Sequence, residues 1–338
     1  MKVLLGMSGG VDSTCAALEL AGEGHDVVGA VLVMHDHTDT AAARDAARSV
    51  GIPLIEVDCR EAFSKTVESY FANEYLSGRT PNPCVVCNSE VKFRYLYERA
   101  MSDGFDAIAT GHYAGVASDD GRYFVTEAED PDKDQSYVLY RLPQSILPKL
   151  LLPLGKKRKK ELLRRAKEIG LPSAYREESQ EICFIPDGSY VDYIEEKYGK
   201  CPPGDFLDGQ GRVLGRHNGV IRYTVGQRKG LGIALGERMC VRRIDPVNNT
   251  VELCRPSEES VSCLYVRDMV FSGIREDTPG ALEATVRLRY HAPKLPCRVV
   301  FDGGAARIEL MSPARVAAPG QSAVIYLGNR IAAGGFIV

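Results

Sequence analysis

Apolar positions in the first half of the chain fall into short dense runs that alternate with stretches of helical spacing. Lys2–Met7, Val27–Met34, Pro53–Val57 and Ala107–Thr110 read as strands. Between them, Val11–Gly24 sets Val11, Cys15 and Leu18 on one helical face and closes on Gly22 and Gly24. Thr38–Val50 is an alanine-rich helix ended by Gly51, and Glu61–Leu76 and Asn88–Ser102 are two more. Strands alternating with helices of this length predict a doubly wound parallel sheet, in which ligands bind at the carboxyl ends of the strands. One further helix, Lys156–Ile169, ends at Gly-Leu-Pro.

Near Lys200 the texture changes. Gly and Pro become frequent, and Gly219–Thr224, Met239–Ile244, Thr250–Cys254, Leu282–Tyr290, Cys297–Phe301, Ala306–Leu310 and Ser322–Leu327 read as short strands. Many short strands between turn residues predict a barrel or sandwich. The expected organisation is an α/β domain over 1–199, a small β-rich central domain over 200–258 and a C-terminal β-barrel over 259–338.

Composition narrows the class. With 44% hydrophobic residues and 45 acidic against 42 basic side chains, the chain has enough apolar surface to fold and is not expected to be disordered. The longest clean apolar run, Val27–Met34, is far short of the roughly 18–20 residues that cross a bilayer, so no membrane association is expected. Ten cysteines behind an N-terminus without a secretion signal point to a reducing, cytoplasmic setting. A net charge of −3 gives no global pull on nucleic acid, but Lys156-Lys157-Arg158-Lys159-Lys160 is a local basic run. It reads either as a solvated helix face or as a phosphate-backbone contact, which Arg222, Arg228, Lys229, Arg242 and Arg243 would extend.

The strongest chemical signal is Ser8-Gly9-Gly10-Val11-Asp12-Ser13, directly after the first strand and opening the first helix. Glycines let backbone N–H groups turn toward an anion, and the helix N-terminus adds partial positive charge. The result is a phosphate cradle without the lysine of a Walker loop. It resembles the pyrophosphate loop of the ATP pyrophosphatase superfamily, which implies ATP with Mg²⁺, attack on the α-phosphorus and an adenylated substrate. A second signal is Cys84-Val85-Val86-Cys87, expected in a loop just before the helix opened by Asn88, where the helix dipole favours a thiolate. Cys183 is a further candidate thiol, and spacing alone does not bring the two regions together.

These motifs occur with Thr80-Pro81-Asn82-Pro83, Thr110-Gly111-His112-Tyr113-Ala114, Lys133-Asp134-Gln135-Ser136-Tyr137, Ser179-Gln180-Glu181-Ile182-Cys183-Phe184 and Tyr223-Thr224-Val225-Gly226-Gln227-Arg228. Together and in this order, over essentially the whole chain, they resemble the bacterial tRNA-specific 2-thiouridylase family. The resemblance implies an adenine nucleotide α-hydrolase-like first domain and sulfur transfer to the wobble uridine in the anticodon region of tRNA. It implies that Gly6, Met7, Ser8, Gly9, Gly10, Val11, Asp12, Ser13, Met34 and Gly111 hold ATP. Asn82, Pro83 and Cys84 would meet the target base. His112, Lys133, Asp134, Gln135, Arg289, Tyr290 and Gln321 would touch tRNA. Cys183 would carry a persulfide received from a cysteine desulfurase relay, and Cys87 would be the nucleophile that frees the sulfur by forming a disulfide with it.

One position departs from the family's pattern, which carries aspartate where this chain has Cys84. Three cysteines, Cys84, Cys87 and Cys183, offer a second route, a 4Fe–4S cluster with one open iron, and zinc is a third alternative. Cys15, Cys59, Cys240, Cys254, Cys263 and Cys297 sit in apolar periodic segments and read as core residues. Cys201, before Pro202-Pro203, reads as a spare exposed thiol, and His35 and His37 border the second strand's end. Two readings compete with thiolation. An amidating ligase needs an ammonia source that the sequence does not offer, and an inactive nucleotide-gated RNA-binding protein has no need of Cys87 and Cys183.

Overall fold

The computed structural model describes residues 1–338 except 177–181, 186–187, 235 and 279. Five parallel strands form the first sheet, in the order Leu54–Asp58 (β3), Asp26–Val33 (β2), Lys2–Gly6 (β1), Ala107–Thr110 (β4) and Leu150–Leu151 (β7). The order reverses at β1, so the crevice above the carboxyl ends of β1 and β4 is the expected ligand position. Helices cover both faces: Val11–Gly22 (α1) and Thr40–Ser49 (α2) follow β1 and β2. The alanines of α2 pack inward (Ala42, Ala43, Ala46 and Ala47), while Arg44, Asp45 and Arg48 stay in water. Val3, Leu5, Cys15, Ala16 and Leu20 join one apolar core, and Leu4, Phe63, Phe71 and Leu96 another.

Two long helices are interrupted by wider π-helical turns. The first runs as Arg60–Phe63 (α3), a π-helical Ser64–Glu68 and Ser69–Leu76 (α4). The second runs as Pro83–Val86 (α5), a π-helical Cys87–Lys92 and Phe93–Ser102 (α6). It therefore starts five residues before the expected Asn88, because Pro83 fits the first helical position, where no N–H is needed. The basic run opens Lys159–Glu168 (α7), and Tyr190–Tyr198 (α8) leads out of the domain.

The central sheet holds Cys240–Asp245, Thr250–Cys254, Gly204–Leu207 and Val213–His217 in that order. The expected strand at Gly219–Thr224 is instead a 3₁₀ turn at Val220–Arg222, entered by Gly219 at φ +112°. The C-terminal sheet closes on itself. Its order is Ser260–Phe271, Ala305–Arg315, Leu295–Asp302, Ala281–Arg287, Ser322–Leu327 and Arg330–Ile337, and the last strand pairs back to the first. Closure leaves no free edge within the barrel.

A hairpin from the first domain, Gly115–Asp119 (β5) and Arg122–Thr126 (β6), docks on this barrel through Thr126 opposite Arg330. Arg122 donates to the carbonyls of Phe271 and Ser272. Below the hairpin, Arg287 of the barrel pairs with Asp134 at 2.6 Å and Glu127 at 3.0 Å. The first and last domains thus share a sheet and a half-buried ion-pair cluster.

Candidate functional site

The loop after β1 is shaped by what a side chain would strike. Gly9 has φ +83°, and a Cβ there would lie 2.6 Å from the Ala42 backbone. Gly10 takes the N-cap of α1, and no side chain caps the helix's first N–H groups. Uncapped N–H groups at a helix start form a cradle for an anion. Ser13 Oγ donates to the Gly10 carbonyl at 3.0 Å and accepts from the Ser8 N–H at 3.3 Å, which closes the loop on itself. From β4, Gly111 abuts the same turn: its Cβ would lie 2.8 Å from the Asp12 carbonyl carbon. Only a glycine lets the two strand ends approach this closely.

Above the loop is a cavity of about 450 Å³ lined by Gly6, Met7, Ser8, Asp12 and Ser13, with Met34 and His35 from the end of β2. Gly111, His112, Gln135, Lys92 and Cys183 complete its wall. Gly9, Gly10 and Val11 carry the loop's turn beside it. A larger cleft of about 670 Å³, lined by Asp58, Arg60 and Tyr95, shares none of these groups. His112 Nδ1 lies 2.8 Å from Thr110 Oγ1, and its ring packs 5.5 Å from Phe93. Burial and then the Lys92 charge hold it well below the usual histidine range, so it is a neutral group in the wall. His35 is lowered too, by burial and then by His37.

Of the three cysteines Cys183 lines this cavity, Cys87 reaches its wall through Met34, and Cys84 lies within electrostatic reach of both. Cys84 is exposed in the first turn of α5, inside the helix rather than in a loop before it. Cys87, only 7% exposed, opens the π-helical turn with Sγ 3.7 Å from Met34 Sδ, and burial pushes its thiol up to about 12. Cys183 is exposed on the rim; dense protein around its sulfur and then the charge of Cys84 raise it, while Lys92 opposes. Each thiol is close enough to be felt by another. Among the described residues no group of three His, Cys, Asp or Glu side chains is placed to hold a metal ion. For Mg²⁺ the fit is better, since it needs one or two carboxylates beside phosphates, and Asp12 and Asp39 both line the cavity.

Asn82 and Pro83 enter the helix from a segment held by all three domains. Thr80 N–H donates to Pro319 at 2.8 Å, and Gln321 Nε2 donates to the Thr80 carbonyl at 2.8 Å. Thr80 Oγ1 also meets Thr224 Oγ1 of the central domain at 3.3 Å. Tyr290 packs 5.9 Å from Tyr137 and is pushed up to about 12 by burial, then by Asp134 and Cys84, so it lies within electrostatic reach of the Cys84 thiol. Arg289 is exposed beside it and donates to Val316 at 3.3 Å.

The 133–135 segment faces inward more than sequence suggests. Asp134 is 6% exposed and accepts from Ala128, Ser136 and Arg287. Gln135 accepts from the Tyr113 N–H at 2.9 Å, and the Lys133 N–H closes a turn on Asp130 at 3.1 Å. Within the basic run, Lys157 pairs with Glu19 and Lys159 with Asp12, both on α1, leaving Lys156, Arg158 and Lys160 outermost. Of the 179–184 motif, residues 179–181 lie outside the described residues.

Comparison with known proteins agrees along the whole chain. Residues 1–187 match the family described as tRNA methyl transferase HUP domain. Residues 191–255 match the tRNA methyl transferase PRC-barrel domain and 261–337 the aminomethyltransferase beta-barrel domain. The tRNA-specific 2-thiouridylase MnmA of Acetivibrio thermocellus is 42% identical over 355 residues, covering 99% of each chain. Its counterpart from Carboxydothermus hydrogenoformans is 41% identical, covering 99% of this chain and 97% of that protein. Among solved structures, an NMN synthetase from Francisella tularensis matches 53% of this chain and 66% of its own at 17% identity and a TM-score of 0.33, too slight a likeness to argue from.

Proposed function

The chain belongs to the tRNA-specific 2-thiouridylase family, and from this premise we propose that it adenylates the 2-carbonyl of the wobble uridine in tRNA and replaces that oxygen with sulfur. The observation that carries the reading is that Cys183 lines the same cavity as the phosphate loop. The matched family is described by methyl transfer and the similar proteins by thiolation; a thiol on the wall of a phosphate cavity favours thiolation.

A uracil carbonyl oxygen is a poor leaving group. In this reading the loop's N–H groups and the α1 dipole hold the outer phosphates, the uridine oxygen attacks the α-phosphorus, and pyrophosphate leaves. Mg²⁺ bound by the phosphates would offset their charge. Neutral His112 adds no charge to the wall beside the base. The target uridine has to leave its stack to enter, as in other base-modifying enzymes, and in this reading Asn82, Pro83 and Cys84 would receive it. His112 and Gln135, which line the cavity, would contact the tRNA together with Arg289, Tyr290, Gln321, Lys133 and Asp134.

Sulfur arrives on Cys183, which is exposed to a donor, such as a cysteine desulfurase relay in the cytoplasm, until tRNA covers it. The terminal sulfur of the persulfide bonds to C2, and AMP leaves with the old oxygen. A second thiol, Cys87 in the family's pattern, then attacks Cys183 Sγ. The S–S bond to the transferred sulfur breaks, 2-thiouridine departs, and the two cysteines are left as a disulfide for a dithiol reductant to reopen. No helix among the described residues is long and apolar enough to cross a membrane.

A 4Fe–4S cluster on Cys84, Cys87 and Cys183 fits less well, because the three do not form a ligand set and Cys87 is turned to Met34. Iron and acid-labile sulfide in anaerobically purified protein decide between the routes: a stoichiometric cluster whose loss abolishes activity overturns the persulfide route. The central test is Cys183→Ser with transcript, ATP and a sulfur donor. It should still release pyrophosphate and form no 2-thiouridine; undiminished product would sink the reading.

A further inference from the structure

The phosphate loop carries its own obstacle. Asp12 is the second residue of α1, in the turn that forms the cradle, and it is among the residues that line the cavity where the phosphates would bind. A bare carboxylate there repels the triphosphate. Both of its oxygens are engaged: Oδ1 accepts from Tyr113 OH at 2.9 Å, and Oδ2 faces Lys159 Nζ at 2.9 Å. Burial and then Asp12 raise the Tyr113 phenol, so it keeps its proton and remains the donor.

Lys159 comes from α7, which packs against α1 although it lies 147 residues further along the chain. Its side chain is only 10% exposed, although it lies in the most basic stretch of the sequence. Asp130 Oδ2 accepts from its backbone N–H at 3.0 Å, which fixes the start of α7, and the ammonium lies 5.9 Å from the Tyr113 ring. A lysine usually keeps its charge in water. Here it is drawn under the protein surface to meet one carboxylate of the phosphate loop.

We infer that Lys159 is a positioning residue for the triphosphate: by pairing with Asp12 it offsets the loop's only carboxylate, so that the N–H cradle meets the β and γ phosphates without an uncompensated charge in the loop itself. A loop with no lysine of its own thus takes its compensating charge from another helix. This inference rests on the reading that the cavity binds ATP.

The test is equilibrium binding of inorganic pyrophosphate, ATP and AMP to the full chain, with a chelator present so that no metal bridges Asp12. In Lys159→Met, pyrophosphate and ATP should weaken roughly tenfold to hundredfold, the scale of an uncompensated charge about 6 Å away at an effective dielectric near 20. AMP, which lacks the outer phosphates, should change little, and Lys159→Arg should bind like the wild type. Asp12→Asn combined with Lys159→Met removes both charges of the pair, and with them the stranded carboxylate, which also protects the fold; it should recover most of the pyrophosphate affinity. The inference is overturned if Lys159→Met binds pyrophosphate normally, if AMP weakens equally, or if the double variant recovers nothing, as a purely structural tie between α1 and α7 would require. A wild-type chain that binds none of the three ligands would instead refute the nucleotide reading itself.

Discussion

Replacing Gly111 by alanine tests the closest approach in the site. The new methyl would stand 2.8 Å from the Asp12 carbonyl carbon and 2.9 Å from both the Asp12 oxygen and the Ser13 nitrogen. All three are backbone atoms of the first turn of α1, so no side chain can swing away. Carbon atoms rest at roughly 3.5 Å or more, so the end of β4 and the start of α1 have to part by about 0.7 Å. Overpacking of this kind costs about 1–3 kcal/mol of stability. Its effect on chemistry is larger in proportion, since misplacing a reacting group by about 1 Å costs about a hundredfold in rate. The expected outcome is a folded enzyme whose melting point falls by a few degrees and whose ATP-dependent pyrophosphate release falls at least tenfold. Gly22→Ala is the control: nothing lies within 4 Å of its Cβ position, and it ends α1, so alanine should stabilise by up to about 1 kcal/mol and leave activity unchanged. Wild-type kinetics for Gly111→Ala would refute the claim that this contact fixes the loop.

Other outcomes follow from the same geometry. Brief alkylation at pH 8, read by peptide mass mapping, should label exposed Cys84 well before Cys87, whose thiol is buried and pushed up to about 12, and equal rates would refute the buried assignment. Arg287→Met leaves the buried Asp134 carboxylate without its counter-ion, while Glu127 keeps Lys294, and should cost about 3–5 kcal/mol in denaturant melts; a loss under 1 kcal/mol would show that the Asp134 pair does not tie the barrel to the first domain. His112 stays neutral in the fold, so below pH about 6.5 the unfolded chain takes up a proton that the folded one refuses. Stability is therefore present above that pH and lost as pH falls, by at most about 1.4 kcal/mol per unit for this proton. His35 and His217 shift the same way, so His112→Asn should flatten the acid slope only in part, and an unchanged slope would refute the assignment.

Local pattern carried much of this architecture. The strand–glycine–helix start, the order of the three domains and the thiol pair at 84 and 87 are all set by neighbours within a few residues. What stayed hidden depends on distant partners. The hairpin Gly115–Thr126 sits inside the first domain's sequence yet belongs to the barrel's sheet, and no short-range period announces that. Gly219–Thr224 has a strand's composition but is turned by Gly219 at φ +112°. Lys157, Lys159 and Asp134 look like surface charge in sequence and are drawn inward by Glu19, Asp12 and Arg287. A charged residue shows its burial only once its counter-ion is in place.

The entrance segment at Thr80 has no support of its own. Its backbone leans on Pro319 and Gln321 from one side, and its hydroxyl on Thr224 from another. Severing the chain after the first domain would therefore strip this segment of its outside supports while keeping every residue that lines the phosphate-loop cavity. The two tail domains are part of the reaction chamber's frame, and exchanging either for an unrelated RNA-binding module would mean rebuilding the door.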